Sequence, residues 1–110
     1  MIKIKIATDF SDAPGGRYIR EGQYSGELFR NEILEPKYIE AKESNVQISV
    51  DLDGGFGYLP SFLDEAFGEL SRKYSDEDVF GRFVFVSNDQ PALIEKITAC
   101  MQKDASMEAK

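Results

Sequence analysis

Two short stretches hold most of the residues that could do chemistry. The first contains Pro14, Gly15, Gly16 and Arg17, then Arg20, Ser25, Gly26, Glu27 and Arg30. Arginines near a helix N-terminus can hold a phosphate or carboxylate through charge-assisted hydrogen bonds. Gly16, Arg17, Arg20, Ser25 and Arg30 are therefore a candidate anion-binding set. The competing reading pairs Arg17 and Arg30 with the chain's abundant acids. The two readings are nearly balanced, with the second ahead. The other stretch is Gly54, Gly55, Phe56, Gly57, Tyr58 and Leu59, followed by Pro60, Ser61 and Asp64. A glycine-rich loop that opens a helix can cradle phosphate on its N–H groups. This one lacks the lysine of a phosphate-binding loop and the spacing of a dinucleotide fingerprint, so turn geometry explains its glycines better.

Ser61 has two compatible readings. With Asp64 it fits an S-x-x-D capping box. It is also a phosphorylation candidate, because a phosphate there would place about −1.5 to −2 charges beside the positive end of a helix. Other constellations fail sooner. Asp51, Asp53 and Gly54 begin like a calcium loop, but Phe62 stands where that loop needs a bidentate glutamate. Glu65 and Glu69 could form a carboxylate pair, but at this spacing they read more simply as a solvated helix face. The chain has no histidine. That excludes histidine-based triads and leaves zinc only Cys100 and carboxylates. No nucleophile–base pair can be assembled. The expectation is a protein that is not an enzyme and has no cofactor and no metal site.

These residues need elements to hold them. Ile2, Ile4 and Ile6 alternate with lysines and predict a strand. A long glycine-rich loop follows, with a short strand over Arg17–Arg20. Ser25 reads as a helix N-cap, with Glu27 in the first turn and Leu28, Phe29 and Ile33 facing inward. Pro36 is expected to kink or restart that helix, which ends near Glu43. Val46, Ile48, Val50 and Leu52 predict a second strand. Phe62, Leu63, Ala66, Phe67 and Leu70 predict a helix from Pro60 to Tyr74, with Pro60 in its first turn. SDEDVFG reads as a polar connection. Phe83 to Val86 reads as a central strand. Ser87, Asn88 and Asp89 offer caps for a last helix, which has Pro91 in its first turn and Leu93, Ile94, Ile97 and Met101 inside. Cys100 flanks that face and is expected to be buried.

The order implies an α/β layering in a single domain over 1–102, with a frayed tail at 103–110. At 110 residues, such a chain buries roughly 65% of its unfolded surface and needs no staples. One cysteine rules out an internal disulfide and suits a reducing cytoplasm. No run is long and apolar enough for a membrane span. The N-terminal residues do not have the form of a secretory signal. The net charge of −7, with no dense basic patch, argues against a nucleic-acid partner. Such charge more often serves solubility than DNA mimicry.

VQISVDLDGGFGYLPSFLDEAFGEL resembles the centre of a STAS domain: a strand ending in acids and small residues, a turn, then a serine opening an amphipathic helix. Together with PGGRY and GQYSGELFR, it is similar to the narrower bacterial STAS-like domain family over about residues 4–100. The resemblance implies a mixed β-sheet of about four strands with three helices packed on it. In the related anti-sigma factor antagonists, such a domain binds a GHKL-type kinase and is phosphorylated on the serine of an Asp-Ser-Ser-Gly motif. The matching segment here is Leu59, Pro60, Ser61 and Phe62, and only Ser61 survives. STAS-like proteins of the narrower kind are thought to accompany histidine-kinase-like ATPases. The implied function is a regulatory protein-binding module in the cytoplasm. Its partner surface would be Gly54, Gly55, Phe56, Gly57, Tyr58, Leu59 and Asp64, with Ser61 as switch. The rival readings are a phage or mobile-element inhibitor of a host defence protein and a binder of a small anion. The partner's identity and the oligomeric state are not legible.

Overall fold

The computed structural model describes residues 1–74 and 76–102, and the tail expected to fray at 103–110 lies outside them. Strand β1 is Ile2–Lys5, followed at once by the short helix α1, Ile6–Asp9. Helix α2 covers 26–44, β2 is Ile48–Asp51, and α3 covers 60–73. Then come α4, Asp76–Arg82, β3, Phe83–Val86, and α5, Ala92–Met101. The three strands pair in parallel in the order β1-β2-β3. The α/β expectation stands. The mixed sheet of about four strands with three helices gives way, among the described residues, to three parallel strands and five helices.

Register explains how the sheet packs. Ile2, Ile48 and Phe83 share one row, and Ile4, Val50 and Phe85 the next. These rows face the helices. Tyr38 of α2 stacks on Phe83 at 6.3 Å, and Phe67 of α3 meets Phe85 at 5.5 Å. Successive right-handed crossovers that advance in one direction put their helices on the same side. The opposite face carries Lys3, Ser49 and Val84, then Lys5, Asp51 and Val86. Lys3, Lys5 and Val84 are exposed. Parallel sheets are usually covered on both faces, whereas among the described residues one is open. The strand order makes β3 an edge strand among them, not the central one that its four apolar residues suggested. β2 is central.

Other expectations shift for local reasons. Arg17–Arg20 forms no strand, and a 3-10 turn at Ile19–Glu21 closes the loop instead. The stretch read as a polar connection is mostly helix α4, because Val79 can be fully buried. Ser25 does cap α2, its Oγ accepting from the Leu28 N–H at 3.1 Å. Pro36 does not break α2. A π-turn at Arg30–Leu34 comes just before it, with the Glu35 N–H reaching back to the Arg30 carbonyl. A proline lacks one N–H and crowds the carbonyl four residues back, and this wider turn relieves both problems. Ser87, Asn88 and Asp89 do not cap α5, whose N-cap position is Pro91. Ser87 Oγ donates instead to the Gln90 carbonyl at 2.6 Å.

Helices α2 and α3 cross at Gly26. A Cβ there would lie 2.6 Å from the Phe62 carbonyl oxygen and 3.1 Å from Glu65 Cβ. Overpacking of this kind costs about 1–3 kcal/mol, while alanine's helix propensity returns at most about 1 kcal/mol. Gly26→Ala is thus expected to lower the urea midpoint. A raised midpoint would show that the crossing can open without loss.

Candidate functional site

The loop between β2 and α3 lies at the carboxyl ends of the parallel strands, where open α/β sheets usually place their sites. It turns on Gly54 and Gly57, at φ +89° and +133°, a region costly to any residue with a Cβ. Several bonds pin it. The Phe56 N–H donates to the Asp12 carbonyl at 2.8 Å, and the Tyr58 hydroxyl to the Leu52 carbonyl at 3.0 Å. Asp53 accepts from the N–H groups of Asn88 and Asp89 at 2.8 and 2.9 Å. Those backbone bonds, first Asp89 and then Asn88, hold the Asp53 carboxyl below its ordinary range. Burial, with help from the Asp51 and Asp53 charges, pushes the Tyr58 phenol up to about 12.

Out of this framework Phe56 stands 85% exposed and Leu59 52% exposed. Beneath them Tyr58 packs on Phe62, and Phe62 on Phe29. The pinning bonds hold the backbone that carries the exposed ring.

Helix α3 starts two residues earlier than a capping role for Ser61 requires. Leu59 is the N-cap residue and makes no side-chain cap bond, and Pro60 is the first residue. Ser61 therefore lies inside the first turn, and the Ser61–Asp64 capping box does not form. Asp64 is turned to other use. It accepts from Arg17 at 2.8 Å and from Arg72 at 3.3 Å. Ser61 lines an open depression of about 350 Å³ with Arg17, Pro60, Asp64, Ala99 and the half-buried Cys100. Cys100 is thus less buried than expected.

The arginines form a ladder of alternating charge. Arg30 bonds Glu65 at 2.7 Å, and Arg17 reaches Glu65 at 3.3 Å as well as Asp64. Arg72 joins Asp64 to Glu69, the latter at 3.2 Å. Arg30 also donates to the Glu65 carbonyl. Burial pushes the Asp64 carboxyl up, but the bonds from Arg17 and Arg72 outweigh it and hold it below its ordinary range. Glu65 is 6% exposed, so the solvated face expected of Glu65 and Glu69 is wrong at Glu65. Its place among Phe62, Leu63, Ala66 and Phe67 was the signal: an acid inside an apolar stripe must find a cation.

The candidate anion set is dispersed. Arg17 and Arg30 face carboxylates, Ser25 caps α2, and Arg20 lies over the Tyr18 ring at 4.7 Å. Gly16 accepts a backbone bond from Gly26 at 2.9 Å, stitching the loop closed. No helix among the described residues is long and apolar enough to cross a membrane.

Residues 25–92 match the family model of the STAS-like domain of unknown function (DUF4325). The chain belongs to that family. No curated protein and no solved structure matches it. The STAS-like match takes in α2, β2, α3, α4 and β3. The loop Gly54–Leu59, Ser61 and the acids Asp64 and Glu65 fall within it. β1 and Arg17 lie before it, so the ladder ties the STAS-like core to the segment that precedes the match.

Proposed function

We propose that this STAS-like chain is a non-catalytic regulatory module that binds a protein partner in the cytoplasm. The observation that carries this reading is Phe56, an aromatic ring held 85% exposed on a loop pinned on both sides. Binding energy concentrates in few residues, often aromatic, and a pre-ordered anchor loses little entropy on docking. Gly54–Leu59 and the start of α3 form the contact surface. The partner class that the resemblance implies is a GHKL-type ATPase or kinase. Ser61 is the switch. It shares its depression with Arg17 and Asp64, so a phosphate on it would compete with Asp64 for the Arg17 guanidinium. The anion-binding reading draws less support, because Arg17 and Arg30 already face carboxylates.

The test places a photo-crosslinking residue at position 56 in the native host, with exposed Glu43 as control site. A single strong adduct at 56, with a histidine-kinase-like ATPase, is the expected result. Against that partner, Phe56→Ser should weaken binding by at least about 30-fold, the size of a hot spot. Equal labelling at 56 and 43 would refute the surface. An adduct with a nuclease or other defence protein, with affinity falling steeply in salt, would favour the inhibitor reading.

A further inference from the structure

The two edges of the sheet are built differently. On β1 the residues facing away from the helices are Lys3 and Lys5. Charged residues, lysine above all, are how proteins keep a bare edge from pairing with another chain. β3 has no such guard: its residues are Phe83, Val84, Phe85 and Val86, with Val84 39% exposed. Beside it runs an apolar groove of about 220 Å³ lined by Phe80, Phe83, Phe85, Ile94, Thr98 and Met101. Phe80 itself is 37% exposed. The backbone also faces outward. The Val86 carbonyl accepts from Leu52 of the neighbouring strand at 2.8 Å. Along a strand the polar groups of successive residues alternate in direction, so those of Phe83 and Phe85 point away from β2.

We propose that this edge pairs with the β3 edge of a second copy of the chain, antiparallel about a two-fold axis, joining the two sheets into one. The occupant follows from charge and from the pleat. Each chain carries −7, so most faces repel their own copy, whereas β3 has no charged residue to bring against itself. A two-fold axis normal to the sheet keeps both helix layers on the same side. Only registers that oppose residues of like parity then preserve the packed and open faces. Centring on Val84 sets Phe83 opposite Phe85 of the second copy and satisfies the outward groups of both. Centring on Phe85 satisfies only that residue's groups within the strand. The Val84 register is therefore preferred. It also extends the row in which Phe83 and Phe85 already stack at 5.8 Å, laying the second copy's rings along the groove. Two Val84 residues then face each other as a non-hydrogen-bonded pair, with Cα atoms about 4.5 Å apart.

Sedimentation velocity from about 10 to 500 µM tests the idea, a range that spans weak self-association. The wild type is expected to move toward dimer as concentration rises. Val84→Lys, which sets two ammonium groups against each other, should stay monomeric with an unchanged circular dichroism spectrum. Val84→Cys provides the second reading. The opposed Cα distance lies within disulfide range, so mild oxidation should give a covalent dimer linked 84 to 84 by peptide mapping. A wild type that stays monomeric throughout overturns the proposal. So does a dimer that persists in Val84→Lys, or a Val84→Cys dimer linked elsewhere.

Discussion

Glu65→Ala should destabilise the fold by about 3–5 kcal/mol, the cost of leaving a buried ion-pair partner uncompensated. Among the described residues Glu65 is the one acid that bonds both Arg17 and Arg30, and it is nearly buried. Removing it takes the carboxylate from the Arg30 guanidinium, which is left with the backbone carbonyl of residue 65, and takes from Arg17 one of its two carboxylates. Glu65→Gln should lose less, since its amide oxygen can still accept from one arginine. Urea unfolding of the three proteins checks this. If Glu65→Ala unfolds at the wild-type midpoint, the ladder is ornamental and the two helices are held by their apolar contacts alone.

Phe67→Ala should be comparably severe, at about 3–5 kcal/mol for an aromatic ring cut from a core. Phe67 is fully buried. Its ring lies 6.0 Å from Phe29, 6.2 Å from Phe83 and 5.5 Å from Phe85. Through it α3 touches both α2 and the edge strand. In a domain of about 100 residues, each kcal/mol is worth about 4–8 °C, so a fall in melting temperature of at least about 12 °C is expected by calorimetry. A much smaller fall would mean that the neighbouring phenylalanines close over the gap.

These two residues also show what was legible in the sequence. Phe67 was readable because burial leaves a period: with Phe62, Leu63, Ala66 and Leu70 it marks one face of a helix. β1 and β2 were readable for the same reason, through alternation. The same stripe signalled that Glu65 is buried, but not which cations it meets, because Arg17 and Arg30 lie 48 and 35 positions away. Only the fold brings them together. β3 was misplaced because an unbroken apolar run looks the same at the centre of a sheet and at an unguarded edge. Ser61 kept its place at the start of α3 but lost its capping role, since Pro60 had already taken the first helical position.

The π-turns in α2 and α3 bear on this too. Phe62, Ala66 and Leu70 repeat every four residues, and all three are buried. In an ideal α-helix, eight residues fall about 80° past two full turns, enough to swing Leu70 off the face that Phe62 occupies. The wide turn at Asp64–Gly68 takes up much of that drift. It acts as a phase correction, letting a four-residue beat stay on one side of a helix whose natural beat is shorter. The length of this segment is therefore part of its information. Deleting one residue from it would rotate everything beyond by about 100°, carrying Leu70 out of the core and Arg72 away from Asp64 in a single step.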